Sequence, residues 1–346
     1  MMRRFVTYLV LVVPLLISSA GCKRIPLHER STRIDLVIDV ALGLDHDINL
    51  SYETDLDPEQ QEKVDGCHPE YHEVLLYDPF THELVTSQIV GARGGQLYMP
   101  VGDYHMVIYS FGTESTQVRD IDNRLESEAF TSDITKTMAD KLQAIQQNAS
   151  PESKTTSKGY EDDPIIHEPD HLYVANEFDV TIPAFTGKDE TVAINAQSTS
   201  IVEIYSLEVL NVKGTENIEK IDAFVTGQVK SHYFGTPACS DDPATVYVTL
   251  NADVQNKRLY TIFGTFGKLP GEENKIYLDI TVTDSGGGQY RYVYDVTEQF
   301  DNPENTDHVL VIDGEEIDIP KAEFGGGGFN PSVDEWERED IDVPLA

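Results

Sequence analysis

Short runs of alternating apolar and polar residues, far more than helical spacing, organise this chain. In Ile34-Asp35-Leu36-Val37-Ile38-Asp39-Val40 the apolar Ile34, Leu36, Ile38 and Val40 fall on one face, with Asp35 and Asp39 on the other. That period of two is the signature of a strand with one buried side. The same pattern predicts strands at 74–77 and 84–90 around Asp78-Pro79. It predicts two more at 96–99 and 104–111, around Val101-Gly102-Asp103, which reads as a hairpin turn. Tyr104, Met106 and Ile108 share one face of the latter strand, so Tyr104 is expected to be at least partly buried. One helix is predicted between Thr131 and Asn148, where Ile134, Met138, Leu142 and Ile145 repeat at helical spacing behind Ser132 or Asp133 as cap. Residues 148–163, NASPESKTTSKGYEDD, are polar and broken by Pro and Gly, which reads as a flexible excursion from the sheet.

Strand patterns resume at 172–174 and 180–183 and continue through 192–212, 245–250, 259–266, 275–283, 290–296 and 309–312. The clearest hairpin sets Ile276, Leu278, Ile280 and Val282 against Tyr290, Tyr292 and Tyr294 across Asp284-Ser285-Gly286-Gly287-Gly288. Many short strands, close turns and little helix place the chain in the all-β class, as antiparallel β-sandwiches, and 346 residues allow two. The expected units are 34–199, carrying the helix and insert at 131–163, and 200–346. A last strand is expected at 336–343, where Ile341 and Val343 alternate with Asp340 and Asp342. Trp336 would anchor it, and Gly325 to Gly328 would act as a hinge before it.

The start of the sequence adds an address. Arg3 and Arg4 precede an apolar run from 5 to 17, short of the ~20 residues a bilayer span needs. Ser19-Ala20-Gly21-Cys22 follows. A basic start, an apolar middle and small residues directly before a Cys predict a lipoprotein signal peptide over 1–21. Cys22 is then the lipid-bearing first residue of the mature chain, carrying diacylglycerol and palmitate, and 22–33 form a polar tether. Lys and Arg total 25 against 61 Asp and Glu, a formal charge of −36. Such a surface repels phosphate backbones, so no nucleic-acid partner is expected; cations and basic partners are favoured. Of the three cysteines, Cys67 and Cys239 remain, and an exported compartment permits either a disulfide or two thiols.

Local catalytic and metal motifs fail on inspection. His72-Glu73-Val74-Leu75-Leu76 and His82-Glu83-Leu84-Val85-Thr86 begin like zinc-protease helices but lack the second His. Asp45-His46-Asp47 opens like a calcium loop, yet Leu50 stands where Gly is required and Leu56 where a bidentate Glu belongs. Cys67, His68 and His72 have no second cluster to complete a zinc site. No Gly-x-Ser-x-Gly elbow is present. The expectation is a protein that is not an enzyme, with no catalytic residues, no metal and no cofactor. Tyrosine is abundant, 17 against one Trp; on a sandwich, Tyr290, Tyr292 and Tyr294 cover core edges or offer a contact face for a sugar or protein.

In order along the chain, several features resemble the fimbrillin-type surface lipoproteins of Gram-negative anaerobes, especially their minor-subunit and anchor-like members. They are Cys22 with its Arg-containing tether, Ile34 to Asp39, and Leu97-Tyr98-Met99-Pro100-Val101-Gly102-Asp103-Tyr104 running into Val107-Ile108-Tyr109-Ser110. Later come Glu168-Pro169-Asp170-His171-Leu172-Tyr173, Phe263-Gly264-Thr265-Phe266-Gly267, Tyr294-Asp295-Val296-Thr297 and the glycine run leading to Trp336. The resemblance implies two transthyretin-like Greek-key sandwiches, an outer-membrane lipid anchor, exposure at the cell surface, and assembly with other fimbrial subunits by strand exchange, a form of β-augmentation. Stalk subunits of such a family are cut after an Arg to free a groove, which makes Arg30, Arg33 and Arg93 the candidate cleavage residues; anchor-type members keep their first strand. The expected function is a structural or accessory fimbrial subunit. The alternative is a surface glycan- or ligand-binding lipoprotein.

Overall fold

The computed structural model describes residues 31–42, 44, 47–111, 113–148, 150–151, 163–184, 191–271 and 273–321. The first half runs β1 (Ser31–Val40), α1 (Pro58–Asp65), β2 (Tyr71–Tyr77), β3 (Leu84–Gly91), β4 (Gly94–Pro100), β5 (Gly102–Phe111), β6 (Thr116–Arg119) and β7 (Glu128–Thr131). It continues through α2 (Lys136–Asn148), β8 (Ser150–Pro151), β9 (Ile165–His167), β10 (Tyr173–Ile182) and β11 (Val192–Ser200). The second half comprises β12 (Glu203–Leu210), β13 (Ile218–Val229), β14 (Ser231–Tyr233), β15 (Ala238–Cys239), β16 (Pro243–Thr249), β17 (Asn251–Asp253) and β18 (Arg258–Thr265). It ends with β19 (Tyr277–Asp284), β20 (Gln289–Asp295), α3 (Thr297–Asp301) and β21 (Val309–Asp313). The all-β expectation is met.

Seven strands close a barrel in the order β1-β11-β10-β5-β2-β3-β4. Only one of its ladders, β1 with β11, is parallel; the rest are antiparallel. The stretch 96–111 is not the expected hairpin: β4 pairs with β1 and β3, whereas β5 pairs with β2 and β10. Val101 and Gly102 therefore carry the chain across the barrel. The Tyr104 ring folds back over Gly102, its hydroxyl 2.9 Å from where a Cβ would stand, so the close approach needs glycine. Tyr104 is buried, as the pattern predicts. Ile34, Leu36, Val74, Met106 and Ile108 fill the interior. On the alternate face Leu75, Tyr77, Val107 and Tyr109 pack against Val202, Ile204, Ile262 and Phe266 of the second half. Buried on both sides, residues 74–77 of β2 and 106–109 of β5 read as continuous apolar runs.

The second core lies between a four-stranded sheet, β17-β18-β12-β21, and a six-stranded one, β8-β20-β19-β13-β16-β9. The predicted β19–β20 hairpin forms, with Ile280 opposite Tyr292. Helix α2 starts at Lys136, capped by Thr135 and not by Ser132 or Asp133, because the Ile134 amide is already held by the Ile165 carbonyl at 2.9 Å. Instead of standing off the first sheet, this insert crosses over. Ile134 and Leu142 pack on Phe224, while β9 adds in parallel to β16 and β8 to β20. A further sheet, β15-β14-β7-β6, joins the halves through β7 and β14. Helix α1 was not legible as a periodic stripe. Asp57 caps it by accepting from the Gln60 amide, and Pro58 sits at its first turn.

Candidate strand-exchange site

Strand β1 is the structural centre of the resemblance's functional claim. It lies between two partners from distant parts of the chain, with Ile34 opposite Val192 on one side and Leu97 on the other. Thr32 donates to the Pro183 carbonyl at 2.6 Å. Arg33, one of the candidate cleavage residues, sits within this strand opposite Tyr98, and its guanidinium donates twice to the Thr191 hydroxyl, at 2.6 and 3.0 Å. A cut after Arg33 would leave Ile34 to Val37 laddered on both sides and Ile38 to Val40 laddered to β11. Arg93 is exposed in the turn between β3 and β4, its carbonyl accepting from the Ile38 amide at 3.2 Å. Gly94 beside it has φ +88°, and a Cβ there would meet the Leu36 carbonyl oxygen at 2.1 Å, so only glycine lets the turn pass under β1. A cut after Arg93 nicks that turn and releases no strand. Cys22, Arg30 and the strand expected at 336–343 with Trp336 lie outside the described residues.

The barrel's weakest closure is between β3 and β4. Only one residue pair, Gly91 with Gly94, bridges them. Farther along, the side chain of Gln88 replaces the missing ladder: its amide nitrogen donates to the Tyr98 carbonyl at 2.6 Å and its oxygen accepts from the Tyr98 amide at 3.3 Å. One carboxamide thus fills the two bonds a neighbouring strand would make. Apolar side chains crowd this exposed wall: Val37, Val85, Ile89 and Tyr98 are all exposed, Ile89 by 62% and Tyr98 by 61%. Inside the barrel behind it lies His72, paired in register with Val90 and fully buried. Burial pushes its imidazole below the usual range, against the pull of the Gly91 carbonyl.

The second sandwich treats its edges differently. β8, β9 and β17 are two or three residues long, and β21 is blocked by amides. Gln299 spans the Val311 amide and carbonyl at 2.8 and 3.1 Å, and Asn305 does the same for Val309 at 3.0 Å each. Tyr292 is buried in the core, with Tyr290 and Tyr294 packed against it, so the tyrosine stripe is not an exposed contact face. Cys67 and Cys239 are both free thiols. Among the described residues no group of His, Cys, Asp or Glu is arranged to hold a metal, and no helix is long and apolar enough to cross a membrane.

The chain is 22% identical over 309 residues to a Bacteroides ovatus protein named "Putative fimbrium anchoring subunit Fim4B", covering 80% of this chain and 85% of that one. It shares its fold with a crystallised protein described as a putative adhesin, also from Bacteroides ovatus, with a TM-score of 0.57 and 19% identity over 88% of this chain and 98% of that chain. The resemblance to fimbrial proteins read from the order of features is borne out. The family described as "Domain of unknown function (DUF5119)" matches residues 55–249, more than half of the sequence, and the chain belongs to that family.

Proposed function

We propose that this protein is a non-enzymatic fimbrial subunit of the anchoring kind, held at the outer membrane by lipid on Cys22 and exposed at the cell surface. The observation that carries this reading is similarity over four-fifths of the chain to a protein named as a fimbrium anchoring subunit. The barrel and the two-sheet sandwich are, on this reading, its two transthyretin-like Greek-key domains. The seat of β1 favours an anchor, because removing it would strip the barrel of a strand that carries Ile34, Leu36 and Ile38 into the core. A neighbouring subunit then joins at the β3–β4 seam, where a single side-chain amide stands in for a strand.

Fatty-acid labelling of the native protein and of Cys22→Ala, with immunogold microscopy using an antibody to the second sandwich, tests the reading. Label lost from the variant, and gold at the bases of filaments, is the expected result. Label retained by Cys22→Ala overturns the anchor, and gold confined to a filament-free envelope overturns the fimbrial role.

A further inference from the structure

A cavity of about 680 Å³ opens where α1, the barrel end and the 168–173 segment meet β12. Tyr71 and Phe111 form its apolar wall, their rings stacked 5.9 Å apart, with Tyr71 about half exposed. Exposed Glu62, Glu70 and Glu114 stand at its mouth. The cation among them is already committed. Lys63 lies 2.9 Å from Glu168, 3.5 Å from Glu59 and 3.2 Å from the Ile262 carbonyl. His171 spends both ring nitrogens, on Ser200 Oγ and the Lys63 carbonyl. Asp170 is consumed by the turn it caps, accepting from the Glu114 and Thr116 amides at 2.6 Å each.

One buried polar group in the lining is not used up. Tyr173 is 1% exposed, and the proton of its hydroxyl meets no acceptor among the described residues; the Cys67 amide lies beside its oxygen. Burial pushes this phenol up to about 12, so at neutral pH it is a donor waiting for an acceptor. A buried donor left unpaired carries an uncompensated desolvation penalty, which an occupant with an acceptor would relieve.

We propose that this cavity seats a basic peptide segment. An Arg or Lys side chain lies against the Tyr71 and Phe111 rings with its charge at the Glu62, Glu70 and Glu114 carboxylates, and a main-chain carbonyl accepts from the Tyr173 hydroxyl. Cation–π contact and the carboxylates supply the first part. The −36 charge of the chain draws such a partner in. The Tyr173 donor distinguishes a peptide from a polyamine, which carries cations but no acceptor.

The test uses the full chain and a fluorescein-labelled, end-blocked peptide with two arginines spaced by glycines. Binding is followed by anisotropy and by the rate at which iodoacetamide alkylates Cys67, which lines the cavity, relative to Cys239, which does not. The proposal expects saturable, salt-sensitive binding that slows alkylation of Cys67 alone. Glu62→Gln with Glu114→Gln should weaken it about tenfold, and Tyr173→Phe, which keeps the ring, about fivefold. It is overturned by peptide affinity unchanged in these variants, by alkylation in unchanged ratio, or by spermine binding as tightly as the peptide and indifferently to Tyr173→Phe. Protection of Cys67 by neutral oligosaccharides in place of the peptide would overturn it in favour of a glycan site.

Discussion

The barrel and the second sandwich are built from the same alternating strands yet differ in how they finish their sheets. The barrel is closed by a strand from near the start of the chain, β1, whose partners lie at 94–100 and 192–198, and its remaining joint is one residue pair and one glutamine. The sandwich is built around a local hairpin, β19–β20, and borrows β8 and β9 from the first half to cover its larger sheet. A second borrowed segment strengthens it further. Ser51 donates to Glu208 through both its amide and its hydroxyl, at 2.8 and 2.6 Å. Arg258, wholly buried, pairs with Glu208, with Thr54, and with Asp253 at 3.1 Å. On the proposed reading, the contrast locates where a strand would be added: at the barrel's thin β3–β4 joint, not on the sandwich, whose edges are short or blocked by side-chain amides.

The sharpest way to break that comparison is to remove the clasp. Arg258→Ala leaves Glu208 buried without its guanidinium, and losing one partner of a buried pair costs about 3–5 kcal/mol. Urea denaturation should show a loss of that size; a loss below about 1 kcal/mol would mean that the clasp of Arg258 on Glu208 and Thr54 does not hold the sandwich. Next comes the barrel's closing strand. Leu36 is 2% exposed in the interior, and Leu36→Ala should cost about 2–5 kcal/mol. Limited trypsin digestion should then cut at Arg33 faster than in the native chain. Unchanged digestion with unchanged stability would show that β1 is not what closes the barrel.

What the sequence made legible follows the same divide. Strands with one wet face, such as β1, announce themselves, since Asp35 and Asp39 alternate with core residues. Strand β13 was missed because nine consecutive residues, 221–229, are buried, which erases alternation. Helix α1 was missed because only Gln60 on it is buried; its one readable signal was Asp57-Pro58. The false hairpin at Val101-Gly102 came from a correct turn whose flanking strands pair elsewhere, a fact that lives in tertiary contacts. The borrowed strands β8 and β9 are too short to pattern at all. The seam was equally hidden, because nothing in Gln88 marks it as the partner of Tyr98. The cavity draws residues from 59–71, 110–115, 168–173 and 204; Cys67-His68 reads in the sequence as metal chemistry that the structure does not assemble among the described residues, and 168–173 reads there only as part of the family resemblance.

A milder probe of the barrel is acid. His72 is buried with its imidazole held below the ordinary value of about 6.5, so the unfolded chain binds its proton first. Stability is therefore complete above pH ~6.5 and falls as pH drops below it, by at most ~1.4 kcal/mol for each unit of depression. His232, also depressed by burial, acts with the same sign. The carboxylates Asp170, Asp253 and Asp284, held low by hydrogen bonds in spite of burial, add their own loss only below pH ~3.9. Glu168, pushed up by burial in spite of Lys63, acts with the opposite sign, so the readout is the difference between the two proteins: between pH 7 and 5 the melting temperature of the native protein should fall relative to that of His72→Leu. An identical slope in the variant would place the acid-sensitive group elsewhere.

The smallest change bears most directly on assembly. Gln88→Ala removes two hydrogen bonds from a partly exposed site, about 0.5–1.5 kcal/mol, and the fold should survive with a melting temperature a few degrees lower. It also bares the amide and carbonyl of Tyr98, flanked by exposed Ile89 and Val37, on an edge that a strand can then extend. Hydrogen exchange at the Tyr98 amide should become fast in the monomer, and sedimentation should show new self-association as concentration rises. The double variant Gln299→Ala with Asn305→Ala bares two residues of β21 in the same way, but only Val311 among the neighbouring large apolar groups is exposed there. It should lose more stability, since five side-chain hydrogen bonds go in place of two, yet show less self-association. If both variants associate alike, edge amides alone decide strand addition and the seam has no privilege. If neither does, the β3–β4 seam is not an acceptor, and the proposed entry of a neighbouring subunit there is overturned.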